Sequence, residues 1–240
     1  MSVDALRLQR EGGQLTLTLA RPERGNALSP DLVEPLLAAV LQANADASLH
    51  SLLLRAEGRH FCTGLDLSDL AERDDAHWLW RLVRIELLLQ ALWRSPHRTV
   101  ALVQGRAWGA GADLVAVCEQ RVGAADTSFR FPGAQFGIVL GTRRLALRLG
   151  TDAARSLVLQ GGQLDAAAAL AAGLLGAHGS EPPPYDPRVD AATARALRAA
   201  SRCDPPGAAE ADLAALVRSA AQPGLKDRIQ AYRDRVTAAR

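Results

Sequence analysis

The residues best suited to chemistry in this sequence lie in a glycine turn that leads to an acidic side chain. An apolar run ends at Gly105, the small residues Gly109 and Ala110 follow, and Asp113 stands three positions further on. This pattern predicts a buried strand, a turn and the start of a helix. Unpaired N–H groups and the positive end of the helix dipole would favour a bound anion or an oxyanion there. Asp113 would serve as an acid or base, or would simply stabilise its own helix terminus.

Three interpretations of this turn stay open on these residues alone. The first is a dinucleotide-binding G-x-G-x-x-G, but its last glycine position holds Leu114 and no strand ending in an acidic residue follows about 20 residues on. The second is an oxyanion hole, which needs another N–H donor. The third is tight packing of a strand on a helix. The segment HFCTGLDL at 60–67 repeats the pattern, and we expect it to present the N–H of Leu65 at a second helix N-terminus.

Alternating strands and helices are needed to place both turns at one edge of a sheet, and the sequence predicts that alternation. A Pro-rich break at 180–187 precedes a helical, Ala- and Arg-rich remainder. We therefore predict an α/β core over residues 1–180 and a helical extension over 181–240. We expect this extension to be an oligomerisation segment, because its apolar stripe is too short to form a core of its own. The predicted elements are a hairpin (3–9 and 14–20), a helix from Pro30 capped by Ser29, a strand (51–58), a helix (78–96), a strand (121–133) and two helical pieces around Gly161-Gly162 (151–177).

Composition narrows the class of function. The 240 residues carry a formal net charge of +2 with both signs interspersed, which favours neither nucleic acid nor a membrane surface as partner. Three widely spaced cysteines indicate a reducing, cytoplasmic setting, and the five histidines lack metal-ligand spacing, so no metal is expected. No segment reaches the roughly 18 uncharged apolar residues of a membrane span.

Taken together, the motifs resemble the crotonase (enoyl-CoA hydratase/isomerase) superfamily, with order and spacing matching over residues 3–178. The resemblance implies an α/β spiral of β-β-α units with a helical C-terminal extension. It also implies a homotrimer or dimer of trimers and an acyl-CoA thioester as ligand, with coenzyme A as part of the substrate and no permanently bound cofactor. The segments that carry it are RPERGNALS (21–29), FCTGLDL (61–67), GRAWGAGADLVAVCEQRVGA (105–124), FRFPGAQFGIVLG (129–141) and 144–175.

The resemblance also implies individual roles. The backbone N–H groups of Leu65 and Ala110 would be the two oxyanion donors. Trp108, beside Gly109, would line the acyl pocket or pack as a core aromatic. The C-terminal helices would cap a neighbouring subunit's site, with Lys226 as a phosphate contact. The adenine and pantetheine would lie along Glu23, Arg24, Gly25, Cys62, Gly64, Leu65, Asp66 and Leu67.

Two departures from the family pattern bear on the chemistry. Hydratases of this family use two glutamates as acid and base; the first position holds the shorter Asp113, and the second, directly after Pro132, holds Gly133. The loop after Gly137 is also about three residues shorter. General acid–base catalysis typically supplies 10²–10⁴-fold and needs reach of about 3 Å, so hydration is disfavoured. Isomerisation, decarboxylation or thioester hydrolysis could use the same oxyanion hole; the alternative is a non-catalytic acyl-CoA-binding or assembly subunit.

Several other residues are given structural roles at this stage. We expect Asp66 to be a helix-start carboxylate rather than a base, and Glu86 to lie on a solvated helix face. Cys62 and Cys118 are expected to be small buried hydrophobes. A glutamate introduced at Gly133 is expected to lower stability by roughly 1–3 kcal/mol through overpacking or backbone strain, because the native chain packs no side chain there.

Overall fold

The computed structural model describes residues 5–238, and two sheets organise them. The strands are β1 (Leu6–Glu11), β2 (Gln14–Leu19), β3 (Ser51–Ala56), β4 (Arg98–Val103), β5 (Arg106–Trp108), β6 (Gln120–Gly123), β7 (Ser128–Arg130), β8 (Gln163–Asp165) and β9 (Ala177–His178). Within the described residues, a six-stranded sheet has the order β1-β2-β3-β4-β6-β9 and a three-stranded sheet the order β5-β7-β8. The first is parallel except for the β1–β2 hairpin. This mixed α/β arrangement agrees with the predicted fold class.

Helices cover the sheets and extend beyond them at the C-terminal end. They are α1 (Pro30–Ala45), α2 (Asp75–Trp93), α3 (Ala110–Ala116), α4 (Thr142–Leu149), α5 (Thr151–Gln160), α6 (Ala166–Ala171), α7 (Ala191–Ala200), α8 (Ala208–Ala220) and α9 (Leu225–Ala238). None of these helices combines the length and the apolarity that a bilayer crossing requires. The predicted hairpin is confirmed within the described residues, its positions 3 and 4 lying outside them. The helix from Pro30 and the two helical pieces around Gly161-Gly162 are confirmed as well.

The central strands form where the sequence is apolar on both faces. β3 is buried at five of its six positions and β4 at all but one, as parallel strands covered on both sides require. β2 alternates threonine and leucine because it lies next to the hairpin edge. One continuous core joins these strands to α1, α2 and α3.

Three local predictions were wrong. The single strand predicted over 121–133 divides into β6 and β7, which join different sheets because the chain turns at Ala124–Thr127. The turn at 60–67 does not enter a helix directly: a single 3₁₀ turn follows at Leu70–Glu72, and α2 begins at Asp75. Ser29 precedes α1 but makes no cap, since its hydroxyl accepts a hydrogen bond from Arg21 Nη1 at 2.6 Å.

The C-terminal helices pack on the chain's own main body. Leu216 of α8 and Leu225 and Ile229 of α9 are buried in one cluster with Trp78 and Ile138. The short apolar stripe is thus buried against the chain's own main body, which was one of two possibilities; the other was burial against another subunit. The division of the chain at 180/181 stays a prediction.

The start of α9 is fixed by a carboxylate of α2. Asp75 accepts hydrogen bonds from the backbone N–H groups of Gly224, Leu225 and Lys226 at 3.0, 3.1 and 2.7 Å. A carboxylate at this position satisfies unpaired donors and the helix dipole together. The resemblance implied a cap over a neighbouring subunit's site, whereas α9 lies over its own chain.

Candidate active site

A mainly apolar cavity of about 130 Å³, partly open to the surface, lies between the two glycine turns. Aromatic and aliphatic side chains form most of its wall. Among the residues that line it in the described chain, Asp113 is the only charged one. α9 closes one side of the cavity with two side chains. The main wall residues are Trp108, Phe131, Phe136, Ile138, Ile229 and Tyr232.

Glycines allow the two turns to touch through their backbones. Gly64 has φ +97°, and a Cβ there would come within 2.8 Å of the carbonyl oxygen of Trp108. The residues that precede the two glycines are joined by backbone hydrogen bonds: the N–H of Cys62 donates to Arg106 O at 3.0 Å, and the N–H of Trp108 donates to Cys62 O at 2.9 Å. Any side chain at Gly64 would therefore separate the turns.

The two proposed oxyanion donors both border the cavity. Within residues 5–238, the N–H groups of Leu65 and Ala110 have no backbone acceptor, and neither residue donates to a side chain. Ala110 is the first residue of α3, so its N–H is one that a helix always leaves unpaired. Leu65 instead lies in a short bridge with Leu28. The expectation that both donors stand at helix N-termini was therefore wrong for Leu65, because the chain takes ten further residues to reach α2.

Arg81 of α2 stabilises the turn that carries Leu65 through hydrogen bonds to its backbone. Its guanidinium is 3% exposed and donates from Nη2 to the carbonyl oxygens of Asp66 at 2.6 Å and Leu28 at 3.3 Å. Nη1 pairs with Asp69 at 2.8 Å. The bridge and the turn are thus fixed to one buried cation, a contact that sequence reasoning missed because Arg81 resembles any other arginine on a helix.

The carboxyl group of Asp113 enters the cavity from the first turn of α3. Asp113 is 5% exposed, and its Oδ1 lies against Gly141, where a Cβ would come within 2.1 Å of it. Burial raises the pKa of Asp113 to about 8; the positive charge of Arg144 opposes that rise and the negative charge of Glu86 adds to it. A carboxyl group in this state can exchange a proton near neutral pH.

Gly133 borders the same cavity but supplies no chemical group. It lies in the 3₁₀ segment Pro132–Phe136, and its φ is not in the left-handed region. A Cβ would meet Ile138 O at 3.4 Å and Ile138 Cβ at 3.8 Å, which is ordinary contact. A Cβ therefore fits at this position, and the cost of roughly 1–3 kcal/mol expected for a whole glutamate stays a prediction.

The segments expected to follow coenzyme A lie side by side. The N–H and hydroxyl of Thr63 donate to Gly25 O at 3.0 and 3.2 Å, which joins the 23–25 turn to the 62–67 loop. Glu23 and Arg24 are exposed, and Leu67 borders the cavity. Lys226 donates from Nζ to Ala71 O at 2.7 Å, near the end of the same loop. Their contact with coenzyme A stays a prediction.

Asp66 has a structural partner rather than a free carboxylate. It accepts from Arg21 Nη1 and from the N–H of Ser68, both at 3.0 Å. Burial alone would raise the pKa of Asp66, but these hydrogen bonds outweigh it and the pKa is lowered. It ties the loop to Arg21 instead of starting a helix.

The two cysteines and Trp108 are enclosed by the surrounding structure. Cys62 and Cys118 are fully buried as expected, and burial raises the pKa of each thiol to about 12.

Trp108 is half-buried. Arg106 stacks on one face of its ring, with Cζ 4.4 Å from the ring centroid, and the residue also borders the cavity. Both alternatives for Trp108 therefore describe part of its surroundings.

Glu86 was wrongly expected on a solvated face. It is 1% exposed and forms an ion pair with Arg144, which is equally buried. The prediction failed because α2 packs against α1, α3, α8 and α9, and Arg144 of α4 reaches Glu86 as well; a helix enclosed on several sides has no fixed polar face.

Comparison with known proteins identifies the family. The family model for enoyl-CoA hydratase/isomerase matches residues 9–181. A relative from Mycobacterium tuberculosis named "Probable enoyl-CoA hydratase" is 38% identical over 163 residues, 67% of this chain and 65% of that protein. An enoyl-CoA isomerase/hydratase from Mycosarcoma maydis is 33% identical over 175 residues, 68% of this chain and 64% of that protein. The matches thus span just under two thirds of these relatives' own length.

A solved structure extends the similarity to nearly the whole chain. A Bordetella parapertussis protein titled as an enoyl-CoA hydratase/isomerase superimposes with a TM-score of 0.89 and 38% identity, over 95% of this chain and 98% of that one. The motifs at 61–67 and 105–124 lie within the matched family model. The chain therefore belongs to the enoyl-CoA hydratase/isomerase family of the crotonase superfamily.

Proposed function

We propose that this protein binds an acyl-CoA thioester and moves a proton at the carbon next to the thioester, with Asp113 as the single proton-transferring group. The N–H groups of Leu65 and Ala110 would hold the thioester oxygen and stabilise the enolate. The observation that carries the proposal is one buried carboxyl group in an otherwise uncharged cavity, beside two backbone N–H groups without acceptors.

A double-bond isomerisation fits one carboxyl group best. The ionised Asp113 would take a proton from the α-carbon of a 3-enoyl-CoA, leaving a dienolate with its negative charge on the thioester oxygen. The same carboxyl would return the proton at the γ-carbon, giving a 2-enoyl-CoA. No water is added, so the reaction does not need the second acid–base group that Gly133 lacks. The apolar wall suits an uncharged hydrocarbon acyl chain.

The test is proton exchange in D₂O together with isomerisation. We expect a 3-enoyl-CoA to be converted and its α-position to take up deuterium, while hydration of 2-enoyl-CoA stays at background. Asp113→Asn should abolish both signals, whereas the exposed control Asp152→Asn should leave them unchanged. Hydration at an ordinary enzyme rate of roughly 1–10³ s⁻¹ would contradict the proposal.

A second candidate is an acyl-CoA-binding subunit without catalysis. The glycine at position 133 favours it, since this position supplies no acid or base. Calorimetric titration with coenzyme A and a series of thioesters separates the two. Binding with neither exchange nor turnover would support this candidate, and absence of binding would contradict both.

A further inference from the structure

A buried group of charges lies behind Asp113, on the side away from the cavity. Glu86 of α2 and Arg144 of α4 are each 1% exposed and form an ion pair between Oε2 and Nη2. The other oxygen of Glu86 accepts from Gln90 Nε2 at 2.9 Å. Asp212 of α8 lies 3.5 Å from Arg144 Nη1. Two carboxylates of two different helices therefore share one buried guanidinium.

The cation is committed to these partners and not to Asp113. The Asp113 carboxyl lies against Gly141, the residue that caps the helix of Arg144, yet it receives no hydrogen bond from any side chain of the described residues. The charges of Arg144 and Glu86 still act on it. Arg144 also keeps one buried donor, Nε, without an acceptor in the described chain. Since a nearby unpaired arginine normally draws a carboxyl into its ionised form, the partners of Arg144 determine how far it acts on Asp113.

We propose that Glu86 and Arg144 are positioning residues that fix the charge of Asp113. Glu86, assisted by Asp212, holds the guanidinium of Arg144 in ion pairs, so the cation does not pair with the neighbouring carboxyl of Asp113. The effect of the pair on Asp113 does not depend on the proposed function; only the use of the Asp113 proton in catalysis rests on it. It also links α8, in the C-terminal extension, to the cavity.

The charged groups around Asp113 are these few. α2 contributes Glu86 and α4 contributes Arg144, whereas Asp212 of α8 reaches this group only through its contact with Arg144. The 137–141 loop supplies only the backbone of Gly141, and the β5 side supplies Trp108. The neighbouring Arg143 is held by Asp212 and by Asp204, so its charge is compensated outside the cavity.

The test is a titration of Asp113 by carbon NMR, with the aspartate carboxyl carbons labelled and Asp113→Asn used to assign the signal. Glu86→Gln keeps the size of the side chain and removes its charge. We expect the midpoint of Asp113 to fall by at least about one pH unit, because the freed guanidinium then favours the carboxylate. A midpoint that stays at the wild-type value would overturn the proposal.

Removing the pair as a unit should have the opposite effect. In Glu86→Gln/Arg144→Met neither charge remains, and no buried charge is left unpaired, which protects folding. Because Arg144 acts on Asp113 more strongly than Glu86 does, we expect the midpoint to rise above the wild-type value. Loss of packing alone would not move the two variants in opposite directions, so a fall in both contradicts the proposal.

Asp212 and Asp204 form a matched pair of variants. Both accept from Arg143, but only Asp212 comes near Arg144. Asp212→Asn should lower the midpoint by less than Glu86→Gln does, and Asp204→Asn should leave it unchanged. Equal shifts from both would show that a general loosening of the C-terminal extension is responsible and would contradict the role of Asp212.

The titration needs no substrate, which separates this inference from the proposed function. If the midpoints move as described and no thioester is turned over, the proposed function fails and the positioning role stands. If turnover is observed while the midpoints stay fixed, the positioning role fails. Where turnover is observed, the pH profile of the rate should shift with the NMR midpoint in each variant.

Discussion

At the scale of single residues, we expect Asp113 to determine how activity depends on pH. Its pKa is raised to about 8 by burial, so only about a tenth of it is ionised at pH 7. If proton removal from the α-carbon comes first, kcat/KM should rise close to tenfold per pH unit below about pH 8 and level off above it. The profile is measured with a 3-enoyl-CoA. A rate that falls above pH 8 would show that the protonated carboxyl starts the reaction.

The same residue should lower the stability of the protein in a pH-dependent way. The unfolded carboxyl has a pKa of about 3.9, so between that value and about 8 the unfolded state ionises while the folded state stays protonated. Stability is therefore lost as pH rises through this window, by up to about 1.4 kcal/mol per unit. Asp113→Asn should be more stable than wild type, and the gain in its free energy of unfolding should be several-fold larger at about pH 8 than at about pH 5. Urea unfolding at both values measures it, and a gain independent of pH would contradict the argument.

Gly133 is the position at which hydratase chemistry could be restored. Because its Cβ has room, we expect Gly133→Glu to fold, with the placement of its carboxyl group in the apolar cavity as the main cost in stability. Asp113→Glu alone should change activity little, since the second group is still missing. Together they should give measurable hydration of 2-enoyl-CoA if the N–H groups of Leu65 and Ala110 converge on one point. A folded double variant that binds 2-enoyl-CoA without hydrating it would show that the cavity has diverged, with the short loop after Gly137 as the first place to look.

At the scale of elements, α2 positions the loop that carries Leu65. Arg81 donates to the carbonyl oxygens of Asp66 and Leu28, and Leu28 O also accepts from the N–H of Asp66. Arg81→Met should therefore leave the Asp66 oxygen as a buried acceptor without a partner and loosen the loop. We expect KM for the thioester to rise at least about fivefold, given about 1–3 kcal/mol for such a loss. Arg84→Met is the matched control: Arg84 lies on the same helix but pairs with Glu34 at the surface. Similar changes in both variants would contradict a specific role for Arg81.

At the scale of the whole molecule, α8 and α9 complete the main body. Leu216, Leu225 and Ile229 share a buried cluster with the core, and Ile229 and Tyr232 close the cavity. Removing residues 205–240 would expose that cluster, so we expect aggregation or a destabilised monomer without thioester binding. Light scattering of the full-length protein should give the mass of three or six copies, as the family resemblance implies. A full-length monomer at micromolar concentration would contradict the trimer, and a stable, binding-competent truncated protein would contradict the role of these helices.

How much the sequence could predict depended on the range of the interactions involved. The hairpin, α1 and the two glycine turns follow from periodicity and from residues that only certain backbone conformations accept, and these are local properties. The absence of a second glutamate at Gly133 is likewise a fact of the sequence. From these the family and the fold could be derived, and the comparisons confirm both.

Tertiary structure alone decided the surroundings of the reactive groups. Glu86 resembles a surface residue until α3, α4 and α8 enclose it, and Arg144 resembles one until it is paired. The Leu65 turn is held by Arg81, which lies fifteen residues from Asp66 along the chain, and not by a helix start of its own. Burial and charge pairing depend on residues that are distant along the chain, so the protonation of Asp113 was outside what the sequence by itself determined.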